Sequence, residues 1–183
     1  MTGPAADVSC RVAWADDAPA IARVQLATRR TDLGGLLPPE VLDVAPEEAA
    51  EAWRETLTRP PDGRVRVLVA LERNRVTGFA ITSPALDPDC DPVADAELME
   101  LTVDPDARGL GHGSRLLQAG VDTMVADRFR RAVLWATADD DALRRFLTDA
   151  GWAPDGAHRE LDLDGSGTTT VKQVRLHTLL TDP

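Results

Sequence analysis

The sequence predicts an α/β fold built on a mixed, mostly antiparallel sheet with helices on its faces. Three observations carry this expectation. Strand patterns follow one another directly at residues 64–83 and again at 158–177, which calls for hairpins and antiparallel pairing. A single strand–helix–strand pattern at residues 96–137 calls for one parallel pair. A length of 183 residues, 43% apolar and 28% charged, suits one domain with a real core, expected at residues 8–180 behind a tail of residues 1–7.

The elements follow in order. "VSCRVAW" (residues 8–14) is strand-like. "DDAPAIARVQLATRR" follows as a helix, with Asp16 or Asp17 as its cap and Pro19 in the first turn. "GGLLPPEVL" interrupts it and starts a short turn. "PEEAAEAWRETL" (residues 46–57) opens on proline and acids and sets Ala49, Trp53 and Leu57 on one face, the pattern of an amphipathic helix. "RVRVLVALE" and "VTGFAITS" flank "RNR" as a strand, tight turn and strand. The proline-rich residues 84–95 are a loop, and "AELMELTV" (residues 96–103) is the next strand. A glycine segment leads into a helix at residues 114–129, whose Leu116, Leu117, Val121, Met124 and Val125 face a core. "RAVLWAT" is a buried strand, "DDALRRFLTDAGW" a short helix stopped by Gly151. The last hairpin turns around residues 164–167. The order is β-α-α-β-β-β-α-β-α-β-β.

Composition excludes several functions. A net charge of −11 argues against a nucleic-acid surface, which needs clustered Lys and Arg, and against an anionic membrane. An acidic surface attracts cationic substrates, and it also serves solubility. The apolar runs are strand-sized, far short of a membrane span. The first ten residues have neither a basic start nor a long apolar stretch, so no signal peptide is expected. Cys10 and Cys90 are then reduced thiols and the cytoplasm is the expected location. Lys172 is the single lysine beside many arginines, and with the abundant Ala, Asp and Pro this reads as the codon bias of a GC-rich bacterial genome.

The chemistry concentrates in "RGLGHGSRLL" (residues 108–117). Glycines at a helix start leave backbone N–H groups unpaired along the positive end of the helix dipole, a ready site for a phosphate or pyrophosphate. Arg108 adds a charge or anchors the loop. A plain turn with no ligand is one alternative. A dinucleotide fingerprint is another: "GLGHGS" nearly satisfies G-x-G-x-x-G, but "DPDAR" stands between strand and first glycine. A phosphate loop of the G-x-x-x-x-G-K-[ST] kind is excluded, because the required lysine is missing.

Arg108, Gly111 and Gly113, set as R-x-x-G-x-G between a strand and an amphipathic helix, resemble the acetyl-CoA loop of the GNAT acyltransferases. The likeness runs over "LTVDPDARGLGHGSRLL" and "DDDALRRFLTDAGW" and covers about residues 8–177. It implies a central parallel strand pair that splays, with pantetheine in the gap. Leu101, Thr102 and Val103 would bond the pantetheine and polarise the thioester. The N–H groups of Arg108, Gly109, Leu110, Gly111, His112, Gly113 and Ser114 would hold the pyrophosphate. Asp140, where the family often carries asparagine, and Phe146 complete the implied cofactor contacts. The implied reaction moves an acetyl group from acetyl-CoA directly to a primary amine of a small molecule or protein. A homodimer is expected from the resemblance alone.

The amine must lose a proton to attack. Glu97 occupies a position that serves as base in some family members and ranks first, Glu100 second. Their separation of three places them on opposite faces of a regular strand. The family's late-helix tyrosine, which protonates the leaving thiolate, has no counterpart: the chain has no tyrosine, and Leu147 stands in its place. This keeps a non-catalytic acyl-CoA-binding or sensing protein in view. No metal is expected. "DPDCD" fails the calcium-loop pattern at Pro92 and Leu98, and His112, His158 and His177 lack ligand spacing. The acidic loop is expected to border the acceptor site, and His158 is a remote candidate for the missing acid.

Overall fold

Hydrophobic strands with a period of two and helices with one apolar face leave a single way to bury both: helices against the two sides of a sheet. The computed structural model describes residues 8–180; the expected tail, residues 1–7, lies outside the described residues. The chain runs β1 (Val8–Val12), α1 (Ala18–Leu33), α2 (Pro39–Leu42), α3 (Pro46–Thr58), β2 (Arg66–Glu72), β3 (Arg75–Pro84) and β4 (Asp95–Val103). It continues through α4 (His112–Ala126), β5 (Arg131–Thr137), α5 (Asp141–Asp149), β6 (Ala153–Asp162) and β7 (Thr170–Leu179). The seven strands make one sheet in the order β1-β2-β3-β4-β5-β7-β6. Every neighbouring pair is antiparallel except β4 and β5. No helix among the described residues is long and apolar enough to cross a membrane.

The sheet divides two apolar layers. On one side α1 and α3 cover Val67, Val69, Leu71 and Phe79, with Trp53 meeting Phe79 edge to face at 5.1 Å between ring centroids. On the other side Leu68, Ala80, Leu98, Leu134 and Leu176 pack with Leu116, Leu117 and Met124 of α4 and Leu147 of α5. Local chemistry fixes the joints. Arg73 and Asn74 both take positive φ, the two-residue turn whose twist matches a hairpin. Helix α4 ends three residues earlier than its apolar pattern suggests. Arg128 adopts φ +68° there, and the Phe129 amide donates to the Met124 carbonyl at 3.0 Å, a left-handed stop made without glycine.

Two strands differ from their sequence reading. Strand β6 begins at Ala153 rather than residue 158, and its register to β7 shifts between Pro154 and His158. Pro154, which has no N–H, and Gly156, at φ +90°, hide the extended backbone in a stretch that reads as a loop. Strand β4 carries a register shift against β3 at its centre: Leu98 faces Thr82 and Glu100 faces Ile81, leaving Met99 as the extra residue. A bulge of this kind reverses the alternation of faces beyond it.

Gly78 of β3 shows how closely β4 is held. A Cβ built there would meet the Thr102 carbonyl oxygen at 2.6 Å, and that oxygen is backbone. Gly78→Ala is therefore expected to destabilise the protein by about 1–3 kcal/mol, the usual cost of overpacking, measured as a lower urea midpoint at unchanged slope.

Candidate active site

The site begins where two parallel strands part. Strands β4 and β5 are paired only through Asp95–Arg131, Ala96–Ala132 and Glu97–Val133. Strand β4 then stays with β3 as far as Val103, while β5 stays with β7 as far as Thr137. Beyond Glu97 the facing edges of β4 and β5 make no pairs with each other, and a wedge opens between them. The bulge at Met99 sits just past the last pair and increases the local twist. Leu101, Thr102 and Val103 all lie on this open stretch. This is the splayed central pair that the resemblance implied.

The glycine loop closes the wide end of the wedge. Gly109 and Gly111 hold φ +77° and +83°, values that suit glycine. Gly111 is the N-cap of α4 and supplies no side chain, so the N–H groups of His112, Gly113 and Ser114 have no acceptor among the described residues. Leu110 and Ser114 are exposed, and Gly113 lies against Val103 and the Phe146 ring of α5. Strand end, loop, α4 start and α5 thus converge on one opening.

The loop's base is held by charge. Asp104 is 2% exposed. Its carboxylate accepts from Arg23 at 2.6 Å, Arg75 at 3.0 Å and the Asp106 amide at 3.1 Å. Burial pushes this carboxyl up, but the Arg23 bond and charge, the Asp106 amide and the charge of Arg75 hold it below its ordinary value. Arg108 reaches back to Asp32 of α1 with two bonds, of 3.0 and 2.7 Å. Of its two expected roles it performs the anchoring one.

The other sequence-selected residues sit in different surroundings. Glu97 and Glu100, expected on opposite faces, share the α1/α3 face, because the bulge shifts Glu100 opposite Ile81 while Glu97 stays opposite Ser83. His112 is buried, its Nε2 3.6 Å from Glu72, so its ring points into the protein and only its backbone faces the opening. Asp140 caps α5, accepting from the Leu143 amide at 2.9 Å. Leu147 is fully buried, and His158 stands exposed on β6.

The two glutamates differ in surroundings. Burial raises the Glu97 carboxyl, Asp87 raises it further, and Arg159 and Arg175 oppose this. Asp87 belongs to the acidic loop, which is bound to the sheet: Asp87 accepts from Trp135 Nε1 at 2.9 Å and from Arg175 at 3.1 Å. Asp89 pairs with the same guanidinium, so the Asp87, Asp89 and Cys90 cluster is already engaged by Arg175. Glu100 is raised mainly by burial, against the Thr102 hydroxyl bond at 3.0 Å and the charge of Arg29. It lines an open cleft of about 410 Å³ between α1, α3 and the sheet, with Gln25, Arg29 and Trp53. The sequence reading left Asp104 and Arg29 unmarked. Asp104 lay in plain view as the polar residue closing a strand before the loop; Arg29 carried no local signal.

A family model for the acetyltransferase (GNAT) family matches residues 31–152, more than half of the chain. The chain belongs to this family. An N-acetyltransferase of Streptomyces griseus is 30% identical over 128 residues, which cover 67% of this chain and 65% of that protein. The crystal structure of an N-acetyltransferase from Staphylococcus aureus Mu50 superposes with TM-score 0.74 at 20% identity, over 96% of this chain and 99% of the other. The PaiA N-acetyltransferase of Thermoplasma acidophilum, solved with coenzyme A, gives 0.68 at 13% identity, over 94% and 99%. At those identities the two structures show a common GNAT fold and no more.

Asp104→Asn, which keeps the shape and removes the charge, is expected to cost about 1–3 kcal/mol near neutrality, the scale of hydrogen bonds to a charged group. Because the native carboxyl titrates below its ordinary 3.8, its stabilisation is complete above that value and fades as pH falls through the lower native one. Urea unfolding of both proteins should therefore show a gap that closes in acid.

Proposed function

We propose that this GNAT protein transfers an acetyl group from acetyl-CoA directly to a primary amine. The observation that carries the reading is the wedge between β4 and β5 ending at a helix start with free amides. Its residues fit an acyl-CoA: the open backbone edge of Leu101 to Val103 suits the amides of a pantetheine arm. The N–H groups from Arg108 to Ser114 suit a pyrophosphate. Phe146 and the capped start of α5 bound the same opening.

The chemistry asked of the chain is small. A backbone N–H on the open stretch of β4, fixed before the substrate arrives, stabilises charge developing on the thioester oxygen. The amine nitrogen bonds to the carbonyl carbon, the C–S bond breaks and the amine gives up a proton. Glu100 takes that proton on this reading. It lines the open cleft, whereas Glu97, ranked first from the sequence, is surrounded by Asp87, Arg159 and Arg175. Both carboxyls are raised, which brings a base closer to the operating pH. No tyrosine protonates the sulfur, and the residue in its place, Leu147, is buried, so coenzyme A leaves as thiolate or takes its proton from water. That same residue favours one other reading, an acyl-CoA sensor without turnover. CoA release across an amine panel separates the two. We further propose that residues 8–180 act as one catalytic unit and that the protein works in the cytoplasm, where acetyl-CoA is supplied.

Two measurements check the assignment. Gly111→Val forces a β-branched residue to φ +83° and sets side-chain bulk at the amides. Calorimetric titration with CoA should show at least a tenfold loss of affinity; unchanged affinity means that the loop holds no pyrophosphate. Glu100→Gln should bind CoA as before and lose about a hundredfold or more in turnover, the range of a general base. The wild-type rate should fall as pH drops through the raised Glu100 value, since only the ionised carboxylate accepts a proton, and this acid limb should be missing in the variant. A full-rate Glu100→Gln with a slow Glu97→Gln would return the role to Glu97.

A further inference from the structure

The cleft beside Glu100 also says something about the acceptor, on the premise that acetyl transfer is the reaction. Helix α1 carries three arginines. Arg23 is bound to Asp104, and Arg30 lies 3.5 Å from Asp43. Arg29 has no carboxylate in ion-pair range among the described residues, yet it lines the cleft, exposed, and its charge opposes the rise of the Glu100 carboxyl. Glu48, also exposed, stands on the same wall. The same cleft is lined by the apolar Leu26, Val44, Ile81 and Trp53, whose ring N–H is already satisfied by Gln25 at 3.0 Å. An exposed cation without an ion-pair partner, lining the same cleft as a carboxylate that must meet an amine, matches a ligand with both charges.

We infer that the acceptor is a small zwitterion, an apolar amino acid or a molecule built like one, with its amine at Glu100 and its carboxylate at Arg29. The apolar side chain then lies against Trp53 and Leu26. Arginine suits the second contact because its fork donates two parallel bonds to a carboxylate. A diamine, which the acidic net charge of the chain would otherwise favour, places its second cation beside Arg29 and is repelled.

The test uses the full chain with acetyl-CoA and four amines: L-leucine, L-leucinamide, 3-methylbutylamine and 1,4-diaminobutane. The first three share side chain and amine and differ at the carboxylate. Leucinamide has the less basic amine and is intrinsically the readier nucleophile near neutrality, so a preference for leucine has to come from the carboxylate. The expected result is a kcat/KM for L-leucine at least tenfold above the other three. Arg29→Met should collapse the ratio toward one through KM, and Arg29→Lys should restore part of it. Calorimetric binding of N-acetyl-L-leucine against N-acetyl-L-leucinamide, with CoA present, gives the same comparison without turnover. Equal values for acid and amide in both assays, a preference for the diamine, or a ratio indifferent to Arg29 would overturn the inference. Failure to bind CoA, read in the same titrations, would instead count against acetyl transfer itself.

Discussion

The parting of β4 from β5 after Glu97 is the constraint on which the rest of the site depends. Parallel strands normally satisfy each other's backbone groups along their whole length. Here each strand is satisfied on its far side, by β3 and by β7, and released on its near side after three residue pairs. The unpaired edge that results is polar, extended and fixed by the core beneath it. A substrate with amides of its own can complete the ladder that the protein leaves unfinished. The wedge is kept open from two directions: Gly78 lets β3 and β4 approach closely, and α4 and α5 brace the other side through Leu116 and Leu147.

Charge then fixes what packing cannot. The loop from Asp104 to Gly111 buries little apolar surface, and glycine makes its unfolded form more disordered still. Asp104 with Arg23 and Arg75 ties its first residue to α1 and β3, and Arg108 with Asp32 ties its middle to the end of α1. Helix α1 therefore joins the loop to the cleft, carrying Arg23 toward one and Arg29 toward the other. The acidic loop is treated the same way, with Arg175 of β7 holding Asp87, Asp89 and Asp155. Much of the acidic excess of the chain is thus spread over exposed positions, while the buried Asp17, Asp95 and Asp104 pair with Arg11, Arg131 and Arg23.

Local patterns were legible in the sequence because their causes are local. A cluster of glycines before an amphipathic run announced the loop from Arg108 to Ser114, and alternation announced the hairpins and the one parallel pair. What escaped was set by neighbours distant in the chain. A strand read alone puts Glu97 and Glu100 on opposite faces; only the register against β3 reveals the extra residue at Met99 that brings them together. Strand β6 was masked by Pro154 and Gly156, which its partner β7 tolerates. Arg29 looked like any helix-surface arginine until α3 and β4 were placed beside it. His112 read as a loop residue because its burial comes from Glu72 and the sheet below, not from its own segment.

The irregularity in β6 has a consequence for how copies of this protein can meet. An exposed sheet edge invites another strand to pair with it, the first step toward open-ended aggregation. Here one edge, β1, is five residues long. The other, β6, is kinked between Pro154 and His158 and carries Arg159, Glu160 and Asp162 beyond the kink. Among the described residues neither offers a long, regular row of free backbone groups. Among the described residues the sheet ends at seven strands, with a short edge on one side and a kinked one on the other.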